Sequence, residues 1–440
     1  MSRRRVALAR SLVALQNRNF RAFFVGEVIS TVGSWMQMLA QSWLVLELTD
    51  SGTALGVTLA LQTLPMLLIG AWTGVIADRV DNRKILQVTA VAGALQAIGL
   101  GAMEATGHVT VHWIWAFALV LGIVGAFERP ALHAMIFELA GPDDLSSAIG
   151  IASTINSGGR LLGPALAGLI IATAGTAPVF FLNALTFAAI LVALALIPDS
   201  ARHQRSTDTV AVKMRDGLAY VWREPTLRLA MGVMAIVGLF AFNFAIIIPT
   251  MIRFEFDASA GALGIVQMVG GIGSVLGGLA AGTFYRPTTR RLGVIAVVFG
   301  VCIFLASLAP GVAAFAALWL PLGIASAMFT TVDQTVLQQT AAPAFQGRVM
   351  SLFTIAWMGT TPIGGLIAGT VIDTWSARGA LVMGATAAVG AGLLALAVSS
   401  RRASTAARVA PAHPADAVEL VDRVATVEVI EPGADLAAGI

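Results

Sequence analysis

The side chains able to do chemistry in this sequence are a handful of polar residues stranded inside long apolar runs. Arg160 lies near the middle of the run 146–172. A central arginine in a bilayer costs at least about 2.5–3.5 kcal/mol on insertion scales, so it must face water or an anion. It either draws in an acidic substrate or partners a titrating carboxylate, or it satisfies Asn156 and backbone carbonyls and fixes packing. Glu27 is the carboxylate to weigh beside it, in the inner third of the run 20–48, with Gln37 and Gln41 four apart farther along. A carboxylate that binds a proton facing one side and releases it facing the other couples transport to a gradient; at the membrane surface it would instead pair with Arg18 or Arg21. Asp333, near the inner end of the run 312–337, reads as a titrating group or as a gate-closing or capping residue. Trp357, with Trp35, Phe240, Phe244 and Met358, is a candidate wall for an apolar cavity or a packing residue. The five histidines lack metal-ligand spacing, and no phosphate loop or nucleophile motif is present, so no metal, cofactor or enzyme chemistry is expected.

These residues need membrane spans to position them. The chain is 57% hydrophobic and 12% charged, with a mean hydropathy of +0.84. Globular domains run near 25% charged, so a water-soluble fold is excluded. Twelve apolar runs are expected as spans: 20–48, 53–77, 85–106, 111–130, 146–172, 176–197, 228–252, 259–284, 292–309, 312–337, 348–373 and 378–399. About 20 helical residues cross the hydrocarbon, and each run is near that length. Of 27 Lys and Arg, 24 fall before the first run, in alternate loops and the tail, or at the run ends that adjoin them, which puts both termini in the cytoplasm. The pI of 9.6 reflects those membrane-flanking cations and implies no nucleic-acid partner. The single cysteine, Cys302, excludes a disulfide framework.

The organisation expected is an N-terminal six-helix bundle (1–198), a cytoplasmic linker (199–227), a C-terminal bundle (228–400) and a tail (401–440) that is disordered or weakly helical. Within the linker, Val210–Trp222 alternates apolar and charged residues at helical spacing, as an amphipathic helix at the headgroups would. The halves repeat at an offset near 200 residues: Gly74–Lys84 returns as 281–291, with Tyr285 replacing Asp78, and Gly163–Ile170 returns as Thr361–Ile367. Parallel halves place a cavity between them near the midplane.

Two motifs carry a resemblance. Gly74-x-x-x-Asp78-Arg79-x-x-x-Arg83-Lys84 resembles the loop between helices 2 and 3 of the major facilitator superfamily, departing from it at Asp81, where that family usually has glycine. Gly74 is expected to let helices approach closely, and Asp78 to accept from a neighbouring helix start. Gly150, Gly159, Gly163, Pro164 and Gly168 resemble that superfamily's fifth-helix motif of exporters and antiporters, with Ala167 at the penultimate glycine. Gly150, Gly159 and Gly163 are expected to form a smooth face against the other half. Asn17–Phe23, Val32–Gln37, Trp43–Thr49 and Arg160–Pro164 resemble the bacterial enterobactin-exporter-like branch, from about residue 15 to 400. The resemblance implies an all-α membrane protein of the major facilitator fold, in the bacterial cytoplasmic membrane, exporting a siderophore, drug or other small amphiphile as a monomer, with protons as the counter-ion. The competing readings are an importer of an anionic metabolite anchored on Arg160, and a transporter-like sensor or scramblase.

Overall fold

A computed structural model describes residues 13–198, 214–282 and 287–409, and among these the secondary structure is helical throughout. Asn17 caps the first helix, α1 (Arg18–Thr49), accepting from the backbone N–H groups of Asn19 and Phe20. Its amide also donates to the Leu139 carbonyl at 3.0 Å, tying the start of α1 to another helix end. Ser51 caps α2 (Gly52–Arg79). Asp81 caps α3 (Asn82–Ala105), accepting from the Arg83 N–H at 3.0 Å. The residue that departs from the family pattern is thus a helix start signal.

Helical backbone then runs from Val111 to Ala174, broken at Gly141 with φ 74° and ψ 174°. Only glycine reaches that φ without strain, and Pro142 suits the first turn of a new helix, so the stretch is two helices, α4 (111–140) and α5 (142–174). Helix α4 persists about ten residues past the apolar run at 111–130, through Ala131, Ala134, Met135 and Leu139, all buried. The chain continues through α6 (Ala177–Leu196), α7 (Met214–Arg223), α8 (Pro225–Phe240) and α9 (Phe244–Thr250), the last running into a π turn at Met251–Glu255. Next come α10 (Ala260–Ala281), α11 (Thr289–Ser307), α12 (Val312–Thr340), α13 (Gln346–Met358), α14 (Thr361–Thr374) and α15 (Ala377–Val409).

Ten helical stretches among the described residues are long and apolar enough to cross a membrane. Two expected spans are each interrupted: α8 and α9 part at 241–243, and α13 and α14 at Gly359–Thr360. The breaks lie against each other, since a Cβ on Gly238 would meet Thr360 Oγ1 at 2.7 Å and one on Gly364 would meet Asn243 Oδ1 at 2.9 Å.

The helices before residue 198 pack mainly on one another, and α10–α12 with α15 do likewise. Besides smaller contacts of α9 with α1 and α2, the main pairings that join the two sets are α2 with α14 and the Val111–Ala174 stretch with α10. Glycines permit both, because backbones approach where no side chain intervenes. A Cβ on Gly56 would lie 2.6 Å from the Gly365 carbonyl, and one on Gly168 would lie 3.0 Å from Gly264 Cα. The expected amphipathic segment is helical over Met214–Arg223; Val210–Lys213 lie outside the described residues, as do Tyr285, Arg286 and the tail beyond Val409. Helix α7 grips the entry to α13: Tyr220 stacks on Phe345 with centroids 4.3 Å apart, and its hydroxyl accepts from the Ala342 N–H. Its opposite face leaves Leu218 and Trp222 exposed.

Candidate functional site

A cavity of about 410 Å³ is built where α1, α4 and α5 converge towards the arginine-rich end of the bundle. Phe20, Phe23 and Phe24 of α1 give it an aromatic wall. Its polar groups are Glu27 and Thr31 from α1, Glu128, Arg129 and His133 from α4, and Ser153 and Asn156 from α5. Glu27 is half-buried and accepts from Thr31 Oγ1 at 3.2 Å. The residues expected from sequence that meet here are Glu27 and Asn156.

Glu128, Arg129 and His133 are additions. An apolar run ending at 130 puts the first two at a membrane surface, whereas α4 continues to 140. Twelve further residues carry Glu128 about 18 Å in from that helix end, close to the depth of Glu27, about 13 Å along α1. The signal that reveals this is the apolar spacing of Ala131, Ala134, Met135 and Leu139, which continues the helical face. A second cavity of about 230 Å³ shares Glu128 and Arg129 with the first and is walled by Ser34, Gln62, Thr63 and Met66 and by Met358 of α13.

Arg160 occupies different surroundings. Its side chain is exposed and lines a small cavity of about 40 Å³ with Phe244, Gln267, Trp319 and Ser326 of the second set of helices. Its guanidinium lies 6.0 Å from the Trp35 ring centroid. Among the described residues no carboxylate pairs with it, so Arg160 and Glu27 belong to separate cavities.

The two glutamines are framework. Gln37 is buried, accepts from Asn183 Nδ2 at 2.6 Å and donates to Gln96 at 2.8 Å, joining α1, α6 and α3. Gln41 is buried and accepts from Gln62 at 3.1 Å. Asp333 is wholly buried in α12, and neither carboxylate oxygen meets a donor among the described residues. Trp357 is 40% exposed and packs beside Phe353, while its neighbour Met358 reaches the second cavity.

The charged loop and the fifth-helix motif are both corrected in their packing. A Cβ on Gly74 would meet nothing within 4 Å, so this glycine is not at a close helix contact. Asp78, Arg79 and Lys84 are exposed, and Arg83 donates to the Ala195 carbonyl at 3.3 Å. Next to them, Asn82 donates to Glu138 at 2.7 Å in a buried bond between α3 and α4. Gly159 and Gly163 face α1 within their own half, where Cβ atoms would meet Thr31 and Trp35 at 2.7 and 2.5 Å. Gly150 has open space beside it. Only the far end of the motif reaches the other half: Gly168, with the Pro164 carbonyl, abuts Gly264. Helical periodicity explains the split, since positions four apart share a face while Gly168 is five beyond Gly163.

A latch absent from either motif closes the end of the bundle opposite the arginines. Asp373, ending α14, accepts from Ser51 Oγ at 2.7 Å, from Gly52 N–H at 2.5 Å and from Thr53 N–H at 2.9 Å. An anion from the second set of helices thus caps the N-terminus of α2, where orphan N–H groups and the helix dipole favour it. Beside it, Arg253 lies 3.6 Å from Asp50 and over the ring of Trp43.

Comparison with known proteins agrees with this architecture. The family described as transmembrane secretion effector matches residues 9–429. The multidrug efflux pump Tap of Mycolicibacterium fortuitum is 25% identical over 354 residues, covering 78% of this chain and 86% of that protein. The staphyloferrin A transporter of Staphylococcus aureus is 23% identical, covering 80% and 89%. Among solved structures, a bacterial homolog of the human lysosomal transporter Spinster, inward-facing and unoccupied, superposes with a TM-score of 0.65 at 15% identity, covering 88% of this chain and 95% of that one.

Proposed function

The chain belongs to the transmembrane secretion effector family of the major facilitator superfamily, and from that premise we propose that it exports a small amphiphilic molecule by alternating access, in exchange for protons. The observation that carries the proposal is the 410 Å³ cavity, which Phe20, Phe23 and Phe24 line together with Glu27, Glu128 and Asn156. Pockets for amphiphiles are mostly apolar with a few placed polar groups. Relatives named for drug and siderophore transport support a substrate of that class.

The membrane topology belongs to the same proposal. Ten stretches become twelve spans when Arg18–Thr49 is counted and Val111–Ala174 is divided at Gly141. Six spans then precede residue 198 and six follow residue 225, with α7 on the linker between them. The Lys and Arg bias puts the arginine-rich end, and both termini, in the cytoplasm of a bacterium. The Asp373 latch and the Gly168–Gly264 contact then seal the outer side, and the cavity faces inward.

The test uses oriented vesicles with a labelled candidate compound, such as a fluorescent amphiphilic cation or a ferric-chelating metabolite. An imposed inward proton gradient is expected to drive the compound outward. Gradient-driven accumulation on the cytoplasmic side instead would favour the uptake reading, for which Arg160 offers a guanidinium facing a cavity with no protein carboxylate on it.

A further inference from the structure

We infer that Glu128 is the carboxyl that passes the coupling proton between the two sides of the protein. The inference rests on the proposed proton exchange and deepens it. A coupling group must be reachable from one side in one state and from the other side in the next, so its position between compartments matters more than its depth alone. Glu128 and Arg129 are the residues shared by the 410 Å³ cavity and the 230 Å³ cavity. Glu27 lines the first and is bonded to Thr31 there. The second cavity includes Met358 of α13, so its wall spans both halves and changes when they rock.

The groups facing Glu128 set its charge balance. From α1 comes Glu27; from α4 itself come Arg129 and His133; α5 offers the uncharged Ser153 and Asn156. The α2 side offers uncharged Gln62 and Thr63, and α13 offers Met358. With Arg129 charged and His133 neutral, one ionised carboxylate leaves the cavity neutral. A second ionisation makes it anionic, which favours a cationic or hydrogen-bond-donating substrate. Proton uptake at Glu128 from water on the outer side removes that charge and releases the substrate. On return, the same proton leaves the carboxyl to cytoplasmic water, so one proton moves inward for each cycle and no other reactant is consumed.

The test needs no known substrate. Spin labels on cysteines replacing Val80 and Ser351, both exposed near the arginine-rich end, report the separation of the halves in a Cys302→Ser background. In reconstituted protein the ratio of wide to narrow populations is expected to change about fivefold or more between acid and alkaline buffer, the usual scale of a coupled transition. Glu128→Gln should abolish that response, and Glu128→Asp should restore it. A pH response retained in Glu128→Gln overturns the assignment to Glu128. A wild-type protein with no pH response overturns the proton-exchange reading itself.

Discussion

At the scale of residues, depth along a helix decides which polar groups meet. Glu27 and Asn156 were legible because each is a polar residue inside a run whose limits the sequence marks well. Glu128 was not, because polar side chains lining a cavity resemble a span's end when hydropathy alone is followed. The glutamines show the reverse: Gln37 looks like a ligand group in sequence, yet its hydrogen bonds to Gln96 and Asn183 make it a three-helix junction. A buried amide costs least when fully paired, so the packing absorbs it. Arg160→Ala is expected to leave insertion intact and to abolish transport, since the substitution removes the cation facing the 40 Å³ cavity. Because Glu27 lies in the other cavity and the coupling proton is assigned to Glu128, Glu27→Gln should lower substrate affinity while leaving the pH dependence of flux in place, and the two defects should add independently. Flux and affinity in reconstituted single and double variants measure this. Strong non-additivity would mean that the two cavities act as one site.

At the scale of elements, the glycine spacing of α5 was readable but its partners were not. Sequence marks where a helix is smooth; only the fold decides which helix lies against the smooth face. Gly159 and Gly163 seat α1, so Gly163→Leu is expected to act as overpacking of the N-terminal helices, costing about 1–3 kcal/mol and lowering the yield of folded protein. Gly168→Leu strikes the contact with α10 instead. It should preserve the thermal stability of the N-terminal set and shift the population towards the state in which that contact is open. Thermal unfolding in detergent, set beside distances between spin labels at positions 80 and 351, separates the two outcomes. Equal destabilisation by both substitutions would count against a gating role for the Gly168 contact. The interruptions in α8/α9 and α13/α14 were likewise hidden, since each lies inside a run apolar enough on average to read as one span, although Asn243 and Gly359–Pro362 mark the two breaks.

At the scale of the whole molecule, the two halves meet at close glycine contacts, a carboxylate cap and a band of buried apolar side chains. Asp373 holds α2 by three hydrogen bonds to a helix start, and that anchorage is exposed enough for water to replace it as the halves separate. Such a latch stabilises one state modestly, which suits a transporter that must leave that state in every cycle. Asp373→Asn removes the charge while keeping an acceptor, so it should favour the outward-open population rather than unfold the protein. Holding the seam shut is the converse experiment. Cysteines at Ser51 and Asp373, joined by a short bifunctional thiol reagent, are expected to stop transport, while the same double variant without reagent continues to turn over. The inner cavity should stay accessible in the cross-linked protein, because its walls of α1, α4 and α5 lie within one half. Undiminished export after complete cross-linking would show that the substrate leaves without this end of the bundle opening.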